Sequence, residues 1–428
     1  MNKKVKMICA LTVVFCVFCL CFSSCSFNFD FGSNKGGSSG LDENDPLNKF
    51  DLLRSSIEYA NEVYYGDVDL DVLDKIAALA VINNMDRFNS MSEYDGSPIA
   101  TSSSEGLGIS VSNTVYNEHI VSYVFNKRDT TTGEISLAQP ELKRGDRIYA
   151  IDGNRVEGLE TAYLSYYVGL KTEIGDSYEL SVYRDGELLN INVSRCVYIP
   201  EQSFYIDNLG GGISDDIGYI KLLSFTGTAE SDFKNDIEQF TADGNKCLIL
   251  DLRDNGGGSS SILESISSYL CAANQSTIHL PLIELHEEKS DRVITYKTKD
   301  CTKYIDCPIY VLTNSATASA SEALISALMY YETATIIGTQ TYGKGVAQIT
   351  NGKAVTDDDG TDYSITMVVG RYYVFTNDTE KYPDGKYCIN EVGITPDYVM
   401  QQQSFVKNYY EDAYILKADT LYKESLAD

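Results

Sequence analysis

Apolar residues recur along this chain with two periods, and the switch between them marks its parts. From Leu47 to about Tyr94 the spacing is helical, as in Leu52, Leu53 and Ile57 and again in Val72, Ile76, Leu79 and Ile82. This predicts a small helical segment packed on the body. Residues from about 104 to 197 read as short strands and turns. Further on, Lys246-Cys-Leu-Ile-Leu-Asp-Leu252 is an apolar strand that leads into the triple glycine Gly256-Gly-Gly258. Ala323-Leu-Ile-Ser-Ala-Leu-Met329 reads as a buried helix and Thr335-Ile-Ile-Gly338 as a short strand.

The front end has its own pattern. Met1-Asn-Lys-Lys-Val-Lys6 is basic, Met7 to Phe22 is apolar, and Ser23-Ser-Cys25 follows. An apolar run of that length is marginal for spanning a bilayer, so residues 1–24 read as a secretory signal. Phe22-Ser-Ser-Cys25 is similar to a bacterial lipobox, with phenylalanine where leucine is usual. It implies that Cys25 becomes the lipidated first residue of the mature chain; an uncleaved anchor helix is the other reading. Either way the body is expected outside the cytoplasmic membrane, attached to it at its front end. Residues 25–46, rich in Gly, Ser, Asn and acid, read as a flexible tether.

With 428 residues, 43% of them hydrophobic, the chain is long enough for two or three domains with packed cores. Its formal net charge is −28, and loss of residues 1–24 would remove Lys3, Lys4 and Lys6 and no acid, giving −31. So acidic a chain is not expected to bind nucleic acid, and anionic lipid should repel it, which leaves membrane attachment to a lipid anchor. Of its 11 cysteines, Cys196, Cys247, Cys271, Cys301, Cys307 and Cys388 lie beyond the front end, and their spacing suggests no metal site. Cys247 and Cys271 sit in apolar segments and read as core thiols, whereas Cys301 and Cys307 could form a small disulfide.

Two segments speak most directly of chemistry. Ser315-Ala-Thr-Ala-Ser-Ala-Ser-Glu322 and Thr341-Tyr-Gly-Lys-Gly-Val-Ala-Gln348 place Ser319 and Lys344 25 positions apart. A serine hydroxyl is a poor nucleophile at neutral pH and needs a neighbouring base, which a lysine can supply if burial keeps its amine neutral. The chain has three histidines, His119, His279 and His286, and none sits in a motif that pairs it with a serine or with metal ligands. Small residues around Ser319 would let backbone approach a substrate carbonyl. The following helix would put Ser319 at its N-terminus, where the dipole and the Ala320 amide favour an oxyanion. Gln348, four residues after Lys344, could hold the lysine by a hydrogen bond. A phosphate-binding reading of the Gly-Lys loop fails, because Lys344 is followed by Gly345 where serine or threonine is required.

Together the strand ending in Gly256-Gly-Gly258, the serine turn and the Gly-Lys-Gly-x-x-Gln loop resemble, in order and spacing, the C-terminal processing peptidases, also called tail-specific proteases. The likeness extends over nearly the whole chain after the tether. It implies Ser319 as nucleophile, Lys344 as general base, Gln348 as the residue that orients the lysine, and Gly257, Gly258 and Ala320 as the oxyanion region. Thr341 and Glu322 fall on supporting positions, and Gly393-Ile-Thr-Pro-Asp397 matches the family's closing turn. Ser321 lacks the family's interval to the lysine and is expected to be structural. Gly106-Leu-Gly-Ile109 and Leu142-Lys-Arg-Gly-Asp-Arg-Ile-Tyr-Ala-Ile-Asp-Gly153 resemble a PDZ domain, in which Gly106, Leu107, Gly108 and Ile109 would bind a peptide's terminal carboxylate. Two stretches depart from the family: Tyr330-Tyr-Glu-Thr333, and Met85-Asp-Arg-Phe-Asn-Ser-Met-Ser-Glu-Tyr94, which follows Asp-Pro-His-Ser-Ser-Tyr only loosely.

The resemblance implies an α/β multidomain fold: a helical segment at 47–95, a PDZ-like domain at 104–197 and a crotonase-like α/β peptidase core at 198–428. The activity it implies is a secreted, membrane-anchored serine endopeptidase, without metal or organic cofactor, that selects proteins by their C-terminal tails and cleaves through an acyl-enzyme. A catalytically inert peptide-binding lipoprotein and an enzyme acting on acyl thioesters are the rival readings; intact Ser319, Lys344 and Gln348 oppose the first, and the export signal the second. Homodimer formation through the helical segment or the tail after Asp397 stays open, since both could equally pack on their own body.

Overall fold

The computed structural model describes residues 55–57, 69–94, 104–113, 116–129, 132–271, 279–287, 289–300, 305–357, 359–403 and 405–427. The expected signal at 1–24, the expected tether with Cys25, most of 47–68 and Cys301 lie outside the described residues. No described helix is long and apolar enough to cross a membrane.

Six strands form the central sheet: β1 (Ser203–Ile206), β2 (Ile217–Leu222), β3 (Cys247–Asp251), β4 (Ile309–Thr313), β5 (Thr335–Gly338) and β6 (Tyr398–Val399). They lie side by side in chain order, β1 antiparallel to β2 and every later pair parallel. β3 and β4 are buried at every residue, which is why Cys247-Leu-Ile-Leu and Ile309-Tyr-Val-Leu are continuously apolar rather than alternating.

Helices α1 (Ala229–Asp243), α2 (Ser260–Leu270) and α3 (Ala320–Tyr330) cross from β2 to β3, β3 to β4 and β4 to β5. Each crossover steps to the next strand in the same direction, so crossovers of one hand leave all three helices on one face. Their apolar sides, with Phe233, Ile237, Leu263, Ile266, Leu324 and Leu328, share a core with Leu248, Leu250, Val311 and Ile336. The alternate residues Cys247, Ile249, Tyr310, Leu312 and Ile337 face the other way and pack against Tyr414, Ile415, Ala418 and Tyr422 of α4 (Ala413–Ser425). Each fully buried Leu or Ile in these layers contributes about 1.5–3 kcal/mol relative to exposure.

A buried ion network holds the carboxyl end of β3. Asp251 accepts from Arg253 Nη2 at 2.6 Å, Tyr219 OH at 2.7 Å and Lys221 Nζ at 3.2 Å, and Arg253 Nη1 reaches Asp412 at 2.7 Å. Burial pushes the Asp251 carboxyl up, yet the charges of Arg253 and Lys221 and the hydrogen bonds from Arg253 and Tyr219 outweigh it and hold the group well below the usual carboxylate range.

A second sheet is built on a long hairpin, Val346–Thr356 with Asp362–Phe375, joined by Ser90–Glu93, Pro281–Glu287, Arg292–Lys297 and Lys386–Cys388. Within the stretch expected to be helical, Leu70–Met85 is a helix but Ser90–Glu93 is a strand, paired antiparallel with Tyr363–Thr366. The reason is non-local: its partner lies far along the chain, where local periodicity carries no record of it.

Residues 104–199 supply the remaining sheets. Five antiparallel strands run in the order Glu187–Ser194, Ser177–Arg184, Arg147–Ile151, His119–Val124, Ile109–Asn113. With the helix Thr161–Gly169 they enclose a separate core of Val121, Leu142, Ile148, Leu164, Leu180 and Val182. A smaller sheet of Ser104–Gly106, Cys196–Ile199, Asn126–Arg128 and Ile135–Leu137 lies beside them.

Candidate active site

Because β3, β4 and β5 are neighbours, the loops that leave their carboxyl ends lie next to one another, where parallel sheets place their sites. The loop after β3 delivers Asn255 to Gly258, the loop after β4 delivers Ser319, and the loop after β5 delivers Lys344. Gly256, Gly257, Gly258, Ser319, Lys344 and Gln348 line one cleft of about 300 Å³, with Tyr372 from the hairpin closing a side.

Asn255 locks the first two loops together. Its Nδ2 donates to Leu222 O at 2.9 Å, its Oδ1 accepts the Gly257 amide at 2.9 Å, and its carbonyl accepts the Ala318 amide at 3.0 Å and Ser321 Oγ at 3.1 Å. Thr317 Oγ1 adds a bond to Leu252 O at 2.9 Å. Gly257 then passes so close to the serine turn that a Cβ there would lie 2.7 Å from Ala318 O, Ala320 N and Ser319 Cβ, and its φ of +96° also excludes a side chain. Glycine is required at this position by both space and conformation.

Ser319 caps α3 with φ 58° and ψ −117°, a backbone that costs a serine about 1–3 kcal/mol and persists only where its surroundings impose it. Glu322 is what imposes it. Fully buried in the first turn of α3, its Oε2 accepts the Ser319 amide at 2.8 Å and the Lys344 amide at 2.9 Å. Its Oε1 accepts Thr341 Oγ1 at 2.5 Å and the Gly343 amide at 2.7 Å. One carboxyl group thus fixes the serine turn against the lysine loop. Thr341 in turn accepts the Ile394 amide at 2.7 Å, which docks the Gly393–Asp397 turn, and Asp397 Oδ2 accepts the Ile336 amide of β5 at 2.8 Å.

Lys344 Nζ donates to Gln348 Oε1 at 2.7 Å, and burial lowers its amine below the usual lysine value. The ladder between the two hairpin strands slips between Ala347 and Gln348; such a bulge re-aims a side chain. Here the side chain is that of Gln348. Tyr372, whose amide donates to Gly345 O at 2.8 Å, is half-buried, and that burial raises its phenol to about 12.

Residues 216–400 match the sequence profile of peptidase family S41. The part of the chain that carries the site is similar to peptidase family S41. The matched stretch contains the Gly256–Gly258 loop, Ser319, Lys344, Gln348 and the Gly393–Asp397 turn. The chain is 32% identical over 268 residues to carboxyl-terminal-processing peptidase 2, chloroplastic, of Arabidopsis thaliana, a match covering 62% of this chain and 47% of that protein. It is 29% identical over 304 residues to a carboxy-terminal-processing protease of Bartonella bacilliformis, covering 69% and 61%. The chain therefore spans about half to three-fifths of the length of these relatives. In fold it is similar to a solved structure from Bacteroides fragilis described as an S41 protease, with a TM-score of 0.53 at 19% identity over 85% of this chain and 92% of that one.

Set against the sequence-predicted residues, Ser319, Lys344, Gln348, Gly257 and Gly258 line the cleft, and Ala320 lines the adjoining recess. The Gly257 amide is already engaged by Asn255, whereas the Gly258 and Ala320 amides donate to no protein group among the described residues. Ser321 is fully buried with its hydroxyl held by Asn255. Gly106, Leu107, Gly108 and Ile109 do not line the cleft. Gly106, Leu107 and Gly108 are buried, with a Cβ at Gly108 falling 2.6 Å from that of Ala138 and 3.1 Å from that of Tyr198. Asn255, Phe88 and Tyr372 were not anticipated. Asn255 stands in Asp254-Asn-Gly-Gly-Gly258, where an asparagine before glycine signals only a turn.

Proposed function

We propose that the protein is a serine endopeptidase that cleaves through an acyl-enzyme, with Ser319 as nucleophile and Lys344 as base. The observation that carries this reading is the meeting of Ser319, a lysine with a desolvated amine and the undonated Gly258 amide in one cleft, with the undonated Ala320 amide in the recess that adjoins it. Ser319 Oγ attacks the scissile carbonyl while Lys344 Nζ takes its proton, and the Gly258 and Ala320 amides receive the oxyanion. The tetrahedral intermediate expels the amine leaving group, which carries away the lysine's proton. Water then attacks the Ser319 ester with the same lysine as base and frees the acid. Leu263, Ile283, Ala323 and Ile389 line an apolar recess against Ser319, which suits a small apolar side chain next to the cleaved bond.

Residues 104–197 form the PDZ-like part of this reading, with Gly106–Ile109 meeting a substrate's terminal carboxylate. Among the described residues the strand Ile109–Asn113 pairs only with His119–Val124, which leaves an edge that an extended tail can join. The sequential parallel sheet with its helices on one face supports a crotonase-like core. Cys25 and the tether would hold this body at the outer face of the cytoplasmic membrane.

The test is cleavage by the chain from Ser26 onward of an unstructured protein ending in an apolar tail, with a free or an amidated terminal carboxylate. The free form is expected to be cut at least about tenfold faster. Equal rates would remove tail selection, and no cleavage of either would remove the peptidase reading. The pH dependence has a definite sign. A protonated lysine cannot accept the serine proton, so activity is present above the folded-state pKa of Lys344 and is lost as pH falls through it. Burial places that limb below the ordinary lysine value of 10.5, and a pH profile of kcat/KM reads it. A limb at or above that value would contradict the assignment. Lys344→Arg should be inactive across the range, because a guanidinium stays charged.

A further inference from the structure

The stretch that departs most from the family pattern at the front of the body, Asp86 to Tyr94, reaches the catalytic side chains. Asp86 closes a turn: its Oδ1 accepts the Phe88 amide at 2.9 Å and its carbonyl accepts the Asn89 amide at 3.0 Å. Buried Asn89 takes the Val368 amide on its Oδ1 at 2.8 Å, and Ser90–Glu93 pairs with Tyr363–Thr366. The turn is thereby fastened to the strand next to the one that carries Gln348. Phe88 then makes two contacts. Its carbonyl accepts from Gln348 Nε2, and its ring centroid lies 4.9 Å from Lys344 Nζ. The exposed Arg87 guanidinium lies 4.7 Å from the same ring and 5.4 Å from that of Tyr342, and the two rings meet edge to face at 6.3 Å.

The donor and acceptor inventory makes this a chain of orientation. The Phe88 carbonyl can only accept, so Gln348 must turn its NH2 toward it. The Gln348 oxygen is then the end left for Lys344, and since that oxygen can only accept, the lysine must spend an N–H on it. Its lone pair is left for the serine hydroxyl. With the amide reversed, carbonyl would oppose carbonyl, and the NH2 would occupy the lone pair that the serine proton needs. We propose that Phe88 is a positioning residue for the Ser319/Lys344 pair: its carbonyl fixes which end of the Gln348 amide meets the lysine, and its ring, with Arg87 over it, shields the amine from water. This rests on the reading of Lys344 as the base.

The ring has two opposed effects on that amine. Excluding water disfavours the charged form, whereas the ring face attracts a cation. The attraction favours the charged form by up to about thirtyfold at a desolvated site, and Arg87 already occupies the ring as a competing cation. Burial lowers the Lys344 value; exclusion of water is the larger effect if removal of the ring raises the midpoint. The other charged or titratable groups around the lysine are Glu322, which takes the Lys344 amide, Tyr342 in the same loop and Tyr372 across the cleft. Substitution of Phe88 leaves all of them in place.

The test is competitive labelling of Lys344 by acetic anhydride in the full chain from about pH 7 to 11, read by mass spectrometry of its peptide. In Phe88→Ala the midpoint is expected to rise by about one pH unit, a tenfold change, with a parallel rise in the acid limb of kcat/KM and KM unchanged. Phe88→Tyr should keep the wild-type midpoint. Arg87→Gln, which removes an exposed charge and its contact with the Phe88 ring, should raise the midpoint by less and serves if Phe88→Ala does not fold. A merely structural role would lower the rate at all pH values without moving the midpoint, and an unmoved midpoint in both variants overturns the proposal. Labelling needs no turnover, so the two readings fail separately. A moved midpoint with cleavage equal in wild type and Ser319→Ala keeps the positioning and removes the peptidase reading; an unmoved midpoint with Ser319→Ala inactive does the reverse.

Discussion

Lys344→Ala is expected to lower kcat/KM for a tailed protein by about ten thousand-fold or more, and Ser319→Ala by at least as much. The double variant should be no slower than the slower single one. Nucleophile and base act as a unit: without the lysine the hydroxyl keeps its proton, and without the hydroxyl the lysine has no proton to take, so their losses do not multiply. What survives in every variant is the contribution of the Gly258 and Ala320 amides and of substrate binding. Single-turnover cleavage of the four proteins checks this. Losses that multiply in the double variant would mean that Ser319 and Lys344 serve separate steps.

Glu322→Ala is expected to cost at least about 3 kcal/mol of stability and to slow cleavage by about a hundredfold or more in the protein that remains folded. Its carboxyl group receives four donors, the amides of Ser319, Gly343 and Lys344 and the hydroxyl of Thr341. Alanine would leave them around a void, each buried donor carrying a desolvation penalty, and would release Ser319 from its strained backbone. The serine turn and the lysine loop would then lose their common anchor. Glu322→Gln is no remedy: its amide nitrogen would face two of the four donors, so an intermediate loss is expected. Denaturant midpoints and kcat/KM measured on the same preparations check both parts. A Glu322→Ala protein within 0.5 kcal/mol of wild-type stability and within about threefold of its rate would show that the carboxyl group is not the anchor described.

How much of this was legible in the chain depends on how local each signal is. The Ser319 to Lys344 interval, the glycines of Gly256–Gly258 and the Gln348 position are short patterns, and all are found lining one cleft. Why they meet was not legible. The meeting depends on β3, β4 and β5 lying in chain order, and strand order is set by packing over the whole sheet rather than by any one segment. Glu322 and Thr341 could be placed only as supporting positions, because the sharing of one carboxyl group among four donors from two segments is a tertiary fact. Gly257 illustrates a finer limit. Its glycine was expected for an oxyanion amide, yet that amide belongs to Asn255, and the glycine is needed because Ser319 Cβ and the Ala320 amide leave no room for a Cβ. Phe88 was hidden more deeply still, since the partner of its carbonyl lies 260 residues away. The helical reading of 47–95 failed at Ser90 for the same reason: the partner strand is distant, and an exposed four-residue strand has no internal period to announce it.

The most direct test of the central claim compares two serines two positions apart. Ser319→Ala and Ser321→Ala remove the same oxygen from neighbouring residues, one lining the cleft and one fully buried with its hydroxyl on the Asn255 carbonyl. Cleavage of an unstructured protein with an apolar tail should vanish in Ser319→Ala and persist within about tenfold in Ser321→Ala, whose loss is one hydrogen bond. Cleavage that survives Ser319→Ala, or that vanishes in Ser321→Ala alone while the protein stays folded, would contradict the assignment of Ser319 as the nucleophile.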